Sequence, residues 1–285
     1  MKKNIAIFGK NGQVANALIQ KFSKNPKFNI VVFNHNDCDF ADLSNLRDFF
    51  NNCQQIFDII INCVAYTNVD LAEDENKLCD NINHQAVKIL ADFCKEKNIK
   101  LIHYSTDYVF DGSGIEPFTE DNTKNLYPLN YYGKSKLAGE IAIQNSGCDY
   151  LIIRLSWVYD SRETSKNFVN TITRLAQNSE ELRIIYDQVG SPTDADFVAK
   201  NTVKIIHDIL SPTCENAKNF HNRILHMNNG IFMSWYDFAK NIVDDLVKNN
   251  IAVKVKNILP IKSSEYQTKA TRPLNSRLKS NINFT

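Results

Sequence analysis

The 285-residue sequence has no apolar run long enough to span a bilayer, so an integral membrane protein is not expected. Its first nine residues are basic and then briefly apolar, whereas a secretory signal would need a longer apolar stretch and a small-residue cleavage site. We therefore expect a first β-strand there. The chain also lacks a basic block suited to a phosphate backbone, and its formal net charge is +1, which argues against nucleic acid as a partner.

The seven cysteines are scattered and include no C-x-x-C pair. An odd number without paired spacing indicates neither a zinc site nor a disulfide framework. Several of them lie in apolar runs, where cysteine behaves as a small hydrophobic residue. We therefore expect no metal site and a cytoplasmic protein.

Short β-rich runs alternate with longer helical patterns in the first half of the chain. This alternation is typical of an α/β fold with a doubly wound parallel sheet. Apolar residues recur at helical spacing over residues 86–94, for example. The predicted strands are 4–8, 30–33, 59–62, 101–105 and 150–154, and the predicted helices are 13–22, 43–50, 81–97 and 131–145.

The chain from residue 161 onward is less regular and contains no internal repeat or low-complexity linker. We expect a smaller region over residues 161–285 that caps the sheet and whose segments could interleave with the first domain. Its predicted helices are 167–176, 197–209 and 235–248, its predicted strands are 183–186 and 224–227, and the tail after Pro260 is predicted to be loop.

A glycine turn follows the first predicted strand and opens the first predicted helix. Gly9 and Gly12 lie in the spacing G-x-x-G-x-x-A, and glycine is needed where the chain turns sharply and a pyrophosphate approaches a helix N-terminus. Ala15 is small enough for close helix–strand packing. Many tight turns look alike, but the position of this one predicts a Rossmann-type NAD(P)-binding domain over residues 1–160, with residues 161–285 as a substrate-binding cap.

The end of the second predicted strand carries no acidic residue, although NAD-binding proteins often have one there for the ribose hydroxyls. The chain has Asn34 and His35 instead, so no carboxylate at this position would repel a 2′-phosphate. Lys10 and His35 could face that phosphate, or both could be solvated loop residues. NADPH and NADH both remain open. Asp39 and Phe40 could meet the adenine, although a buried phenylalanine accounts equally well for Phe40.

Thr106, Tyr132 and Lys136 form the predicted catalytic group. Thr106 follows the fourth predicted strand, at the sheet edge where ligands bind in open α/β proteins. Tyr132 and Lys136 are four residues apart and share one face of the next helix. In isolation this spacing favours an exposed pair with no function, but its combination with Thr106 and the glycine turn favours a catalytic site.

This group suits the reduction of a ketone, which needs a hydride at carbon and a proton at oxygen. A free tyrosine has a pKa near 10, and lowering it by about three units takes roughly 4 kcal/mol. An ammonium about 4 Å away supplies that much at an effective dielectric constant of about 20. We therefore expect Lys136 to lower the pKa of Tyr132 and to contact the nicotinamide ribose, while Thr106 bridges to the substrate oxygen.

These residues resemble the extended short-chain dehydrogenase/reductase superfamily and, within it, the dTDP-4-dehydrorhamnose reductases. The resemblance covers nearly the whole chain and consists of long matches in the same order. Besides the glycine turn, the matching segments are 62–73, 104–112, 128–140, 154–159, 187–193 and 272–276.

The resemblance also implies roles for individual residues. It places Gly12, Gln13 and Val14 at the pyrophosphate, Asp39 and Phe40 near the adenine, Ala65, Tyr66 and Thr67 at the nicotinamide, Thr106 and Asp107 at the sugar, and Tyr132 and Lys136 in the roles of proton donor and ribose ligand. Trp157 would form a wall of the sugar-nucleotide pocket, or it could be a core tryptophan. Arg272 would bind the substrate diphosphate, or it could be an exposed tail arginine.

The implied reaction is the NAD(P)H-dependent reduction of dTDP-4-dehydro-L-rhamnose to dTDP-L-rhamnose, for surface polysaccharide, with Tyr132 protonating O4. Related dehydratases follow the threonine with Asp-Glu, whereas Asp107 is followed here by Tyr108, which favours simple reduction. Two alternatives remain: a reductase or epimerase for another nucleotide sugar, and a non-catalytic NADP-binding regulatory subunit.

Two departures from the family pattern bear on assembly. Asn16 and Ala17 stand where some relatives have a glutamate in a magnesium-mediated dimer contact, so a homodimer stays open but that contact is not expected. The chain ends at Thr285, where relatives usually continue into one more helix. We expect the lack of that helix to expose apolar surface or to loosen the cap.

Overall fold

The computed structural model describes residues 2–162, 164–211 and 213–284, so the terminal residues of the predicted ranges, Met1 and Thr285, lie outside it. The strands are β1 (Lys3–Phe8), β2 (Phe28–Phe33), β3 (Ile59–Asn62), β4 (Lys100–Thr106), β5 (Tyr150–Leu155), β6 (Val158–Tyr159), β7 (Glu181–Ile185), β8 (Val189–Gly190), β9 (Thr193–Asp194), β10 (Arg223–His226), β11 (Met233–Ser234), β12 (Asn257–Ile261) and β13 (Asn275–Ser276).

The α-helices are α1 (Gln13–Ser23), α2 (Leu43–Asn51), α3 (Asn76–Asp80), α4 (Ala86–Lys97), α5 (Tyr131–Ser146), α6 (Phe168–Asn178), α7 (Ala195–Leu210) and α8 (Trp235–Lys248). Along the part of the chain that the structure describes, none of them combines the length and the apolar character needed to cross a membrane.

The main sheet is parallel and has the strand order β10-β5-β4-β3-β1-β2. Helices α1 and α7 pack on one face, and α2, α4 and α5 pack on the other. Covering both faces buries the central strands completely, which is why β3 consists almost entirely of isoleucine. The doubly wound α/β fold predicted from the sequence is confirmed.

The direction of winding reverses at β1, because β2 pairs on one side of it and β3 on the other. At such a reversal the chain leaves neighbouring strands toward opposite faces, which opens a crevice outside their carboxyl ends. The glycine turn after β1 and the segment after β3 therefore border the same crevice.

The predicted elements of the first half match the structure within two residues at nearly all ends. The exception is the predicted helix 81–97, which begins earlier, as α3 at Asn76, and passes through one π-turn over Asn81–Gln85. Periodicity cannot reveal a π-turn, because the extra residue shifts the apolar face without ending the helix.

The region after residue 161 contributes a strand to the main sheet and a helix to one face of it. Predicted strand 224–227 is β10, which pairs with β5 in the main sheet, and α7 packs against α1. The tail prediction was wrong in part, because β13 lies after Pro260 and pairs with β8, and β12, which ends at Ile261 and pairs with β7, was not predicted. Such short strands depend on distant partners and leave little local pattern. The division into domains at residue 160 stays a prediction.

A buried ion pair joins α5 to β5. The Arg154 guanidinium donates from Nε to Glu140 Oε1 (2.9 Å) and from Nη2 to Oε2 (2.6 Å), and both residues are at most 2% exposed. The guanidinium also lies 5.0 Å from the centre of the Phe110 ring. Such a pair is costly to break, because either charge left alone would be buried without a partner.

We expect Arg154→Met to lower the free energy of unfolding by about 3–5 kcal/mol, and the double variant with Glu140→Met to recover much of that loss. Urea denaturation measures both. Lys88→Met is the control, since Lys88 pairs with Asp92 on the exposed surface of α4 and should change little. Equal losses in Arg154→Met and Lys88→Met would contradict this account.

Candidate active site

Helix α5 carries Tyr132 and Lys136 and contacts its neighbours backbone to backbone. A Cβ atom at Gly133 would lie 2.2 Å from the Tyr108 carbonyl oxygen, and one at Gly139 would lie 2.2 Å from that of Asn83. The helix begins after Asn130, whose side-chain oxygen accepts a hydrogen bond from the Gly133 amide at 2.8 Å. These contacts leave α5 little freedom to slide or rotate.

A groove runs outside the carboxyl ends of β1, β3 and β4 and consists of two adjoining cavities. The cavities have volumes of about 260 and 610 Å³. Both are lined by the glycine turn and by the segment after β3, in particular by Asn11, Gly12, Cys63, Val64 and Ala65. The crevice expected from the strand order is therefore a real groove.

The glycine turn comes close to the neighbouring strand. Gly9 has a φ angle of +95°, and a Cβ atom there would lie 2.9 Å from the carbonyl carbon of Cys63. The Gly12 amide donates to the Gly9 carbonyl at 2.9 Å, and Gly12 is the N-cap residue of α1, where no side chain caps the helix. The first turn of α1 is thus accessible from the groove, which fits the diphosphate of a dinucleotide.

The predicted cofactor residues divide between the two cavities. The smaller cavity is lined by Gly9, Asn34, Asp39 and Phe40, together with Lys10 and His35. The larger cavity is lined by Gln13, Val14 and Thr67 and by the catalytic group. The residues predicted for the adenosine thus line the smaller cavity, and Thr67, Tyr132 and Lys136, predicted for the nicotinamide, line the larger one. Their roles in cofactor binding stay predictions.

The larger cavity also brings together Thr106, Asp107, Tyr132, Lys136 and Trp157. The Thr106 hydroxyl donates to Asp107 Oδ1 at 3.2 Å. These side chains come from β4, from the turn after it, from α5 and from the segment after β5. They meet because the carboxyl ends of β4 and β5 lie side by side.

Burial raises the pKa of Tyr132 well above its ordinary value, and the nearby Thr106 hydroxyl offsets only part of that rise. The predicted lowering by Lys136 is wrong for this structure. Burial outweighs the other effects, and Lys136 Nζ donates to the Tyr104 carbonyl (2.8 Å) and lies 3.2 Å from His103 Nε2. Burial also lowers the pKa of Lys136, to about 8. Tyr132 is therefore protonated at neutral pH, as a proton donor must be.

Asp107 is buried beside this tyrosine, and burial raises its pKa to about 7. Its Oδ1 accepts from Thr106, and the nearby Ser276 side chain offsets part of the rise in its pKa. Among residues 2–162, 164–211 and 213–284, no group meets the geometry of a hydrogen bond to its buried Oδ2. An unsatisfied buried oxygen is costly unless a ligand completes it. A hydroxyl group in the cavity is a suitable partner.

Two predicted residues lie outside this groove. The Tyr66 hydroxyl donates to Glu75 Oε2 at 2.6 Å, and Tyr66 lines neither cavity, although Ala65 and Thr67 on either side of it do. Its place at the nicotinamide stays a prediction. Arg272 lines a neighbouring cavity of about 880 Å³, where its Nη2 donates to Asp70 Oδ2 at 2.7 Å. It is therefore not an exposed tail arginine.

Trp157 is both a wall of the cavity and a packed tryptophan, the two interpretations that the sequence left open. It lines the larger cavity, but its ring also stacks on Trp235 at 3.4 Å between ring centres. Its φ angle is +48°, and a Cβ atom at Gly190 would lie 2.4 Å from its ring. The tryptophan is thus a tightly packed wall of the cavity.

Sequence reasoning did not identify several residues that line these cavities. Trp235 borders both the groove and the neighbouring cavity, while Arg162 and Lys166 border the groove alone. Trp235 is the first residue of α8, after a Ser234 cap that signals a helix start and nothing more. Only the tertiary structure brings these residues to the groove.

The parallel sheet, the glycine turn and the helix with Tyr132 and Lys136 define a Rossmann-type protein of the extended short-chain dehydrogenase/reductase class. The family model described as the RmlD substrate binding domain matches residues 2–283. The dTDP-4-dehydrorhamnose reductase of Escherichia coli (strain K12) is 37% identical over 277 residues, which cover 96% of this chain and 89% of the relative. The chain belongs to the dTDP-4-dehydrorhamnose reductase family.

Solved structures agree with this assignment. The dTDP-4-dehydrorhamnose reductase of Bacillus anthracis str. Ames, in complex with NADP, has a TM-score of 0.84 at 33% identity and covers 99% of this chain and 92% of its own. An ortholog from Clostridium acetobutylicum has a TM-score of 0.84 at 32% identity, with 97% of this chain and 90% of its own covered.

We expect Asp107→Asn to stabilise the protein increasingly as pH rises from 5 to 8. The folded carboxyl has a pKa of about 7, above the unfolded value near 3.8, so the wild type loses stability as pH rises between these values. The full shift corresponds to about 4 kcal/mol. Thermal unfolding of both proteins across this pH range measures the difference.

Asp92→Asn on the surface of α4 is the control. Its effect on the free energy of unfolding should be small and should not show the increase with pH expected for Asp107→Asn. A gain for Asp107→Asn that is equal at pH 5 and pH 8 would show that Asp107 is already ionised in the fold.

Proposed function

We propose that this chain reduces the 4-keto group of dTDP-4-dehydro-L-rhamnose to give dTDP-L-rhamnose, with NADPH or NADH as the reductant. The observation that carries the proposal is the single groove that joins the glycine turn to Tyr132, Thr106 and Asp107. The relatives of this chain are named for that reaction, and one of them is in complex with NADP. We further propose a cytoplasmic protein that makes the rhamnose donor for surface polysaccharide.

The residues of the groove fit the cofactor. Gly12, Gln13 and Val14 at the start of α1 would hold the diphosphate, and the smaller cavity with Asn34, Asp39 and Phe40 would hold the adenosine. Lys10 and His35 also line that cavity and carry no negative charge, so they tolerate a 2′-phosphate. Ala65 and Thr67 would border the nicotinamide, which when bound in its reduced form supplies the hydride.

Tyr132 would hold the proton that the substrate oxygen needs. Its raised pKa keeps the phenol protonated until hydride transfer, and the alkoxide that then forms at O4 would take the proton from Oη. Thr106 would orient the keto oxygen. The free Oδ2 of Asp107 would accept a sugar hydroxyl, which fixes the sugar relative to Tyr132.

The neighbouring cavity would take the nucleotide part of the substrate. Tyr108 and Trp235 line both this cavity and the larger cavity of the groove. Arg272 would contact the diphosphate, for which a guanidinium is geometrically suited, although it must then share its charge with Asp70. On this basis we propose that residues 161–285 supply most of the substrate-binding region and residues 1–160 most of the cofactor-binding domain.

We expect Tyr132→Phe to lower kcat by about 100- to 10,000-fold, because the variant keeps the ring and loses the proton. The assay is NADPH or NADH oxidation with dTDP-4-dehydro-L-rhamnose. Tyr131→Phe is the matched control, since its side chain is outside the groove, and it should retain near-normal turnover.

Full turnover by Tyr132→Phe would overturn the assigned mechanism. Tight NADPH binding without turnover of any nucleotide sugar would favour the regulatory alternative, and turnover of a different 4-keto sugar nucleotide would reassign the substrate.

A further inference from the structure

A line of buried polar side chains runs beneath the groove from β3 to α5. Asn62 ends β3 and His103 lies on β4, and both are completely buried. Asn62 Nδ2 lies 3.1 Å from His103 Nδ1, and His103 Nε2 lies 3.2 Å from Lys136 Nζ. The proposed function assigns no role to Asn62 or His103.

The direction of the Asn62 amide is determined by a backbone group. The Val64 N–H donates to Asn62 Oδ1 at 2.9 Å, and a backbone N–H can only donate. The other end of the amide, Nδ2, therefore faces His103 and donates to Nδ1. Since Nδ1 accepts, the single proton of a neutral His103 ring must be on Nε2.

His103 stays neutral in this environment. Burial lowers its pKa well below the ordinary value, and the nearby Lys136 lowers it further. A second proton could only be added at Nδ1, where it would meet the Asn62 NH2 group. The ring thus presents an N–H, and not a lone pair, to Lys136.

This arrangement suits an amine and not an ammonium at Lys136. An ammonium has three donors and no acceptor, so opposite an N–H it would leave two donors face to face. An amine can accept from His103 Nε2–H with its lone pair and still donate to the Tyr104 carbonyl at 2.8 Å. The contact at 3.2 Å is therefore a hydrogen bond only in the amine form.

We propose that His103, oriented by Asn62, is a positioning residue whose N–H favours the amine form of Lys136 over the ammonium. Of the other titratable groups that face Lys136, Glu140 on α5 favours the ammonium, whereas burial raises the pKa values of Cys79 on α3 and Cys63 after β3, which stay uncharged thiols. Glu140 is already paired with Arg154, which weakens its effect. Burial and His103 together oppose Glu140. The link to turnover rests on the proposed function, but the proton placement does not.

The first test is NMR of the wild-type protein with 15N-labelled histidine and asparagine and 13C-labelled lysine, without substrate. The His103 ring signals are assigned through the Asn62 side-chain amide. We expect a protonated Nε2 and an unprotonated Nδ1 between pH 6 and 9, and a Lys136 titration near 8. A proton on Nδ1, or a Lys136 pKa at its ordinary value, would overturn the proposal without any variant.

The second test is His103→Gln, whose amide can turn its oxygen toward Lys136 and accept from an ammonium. We expect the Lys136 pKa to rise by at least one unit, and the limb of the pH–kcat profile that belongs to Lys136 to move up with it. His84→Gln is the control, because His84 pairs with Asp80 away from the groove. It should change neither the Lys136 pKa nor the pH–kcat profile. An unchanged Lys136 pKa in folded His103→Gln would refute the positioning role.

The two measurements separate this inference from the proposed function. If NMR shows the expected proton positions but no keto sugar nucleotide is reduced, only the proposed function fails. If turnover is normal but His103 carries its proton on Nδ1, only this inference fails.

Discussion

Helix α5 is held at fixed height and rotation against the sheet, and the active site depends on that placement. Gly133 and Gly139 let its backbone touch the chain at Tyr108 and in the π-turn, and the buried pair of Glu140 with Arg154 ties it to β5. A Cβ atom at either glycine would lie 2.2 Å from a backbone carbonyl oxygen, so the helix or its neighbour would have to move. Since Tyr132 and Lys136 extend from this helix, the same contacts that stabilise the fold set the position of the proton donor.

Burial is the second feature on which the site depends. Asp107 and Tyr132 have raised pKa values and Lys136 a lowered one, so all three shift toward their neutral forms. These three side chains therefore bring less charge to the groove than they would on the surface, whereas Arg162 and Lys166 border its larger cavity. A charged cofactor and a diphosphate substrate would bring the charges that this low-dielectric site then acts on, and small changes in hydrogen bonding, such as the contact with His103, have large effects on protonation.

The sequence allowed prediction of most of the fold because its main elements have strong local signals. β3 is a run of isoleucines, and the glycine turn after β1 is specific both in composition and in position. The short strands β6, β8, β9, β11 and β13 had no such signal, since each depends on partners far away in the chain. The π-turn before α4 was also missed, because it lies within a helix and interrupts no apolar pattern.

For the site, the residue types and their order alone determined that Thr106, Tyr132 and Lys136 would meet near a dinucleotide groove, because strand ends and helix faces follow from local periodicity. The electrostatics were decided by the tertiary structure. The sequence suggested that Lys136 would acidify Tyr132, but only the packing of β3, β4 and α5 shows Lys136 turned toward His103 and Tyr104. Burial and hydrogen-bond partners come from contacts distant in sequence, and these set the pKa of each group.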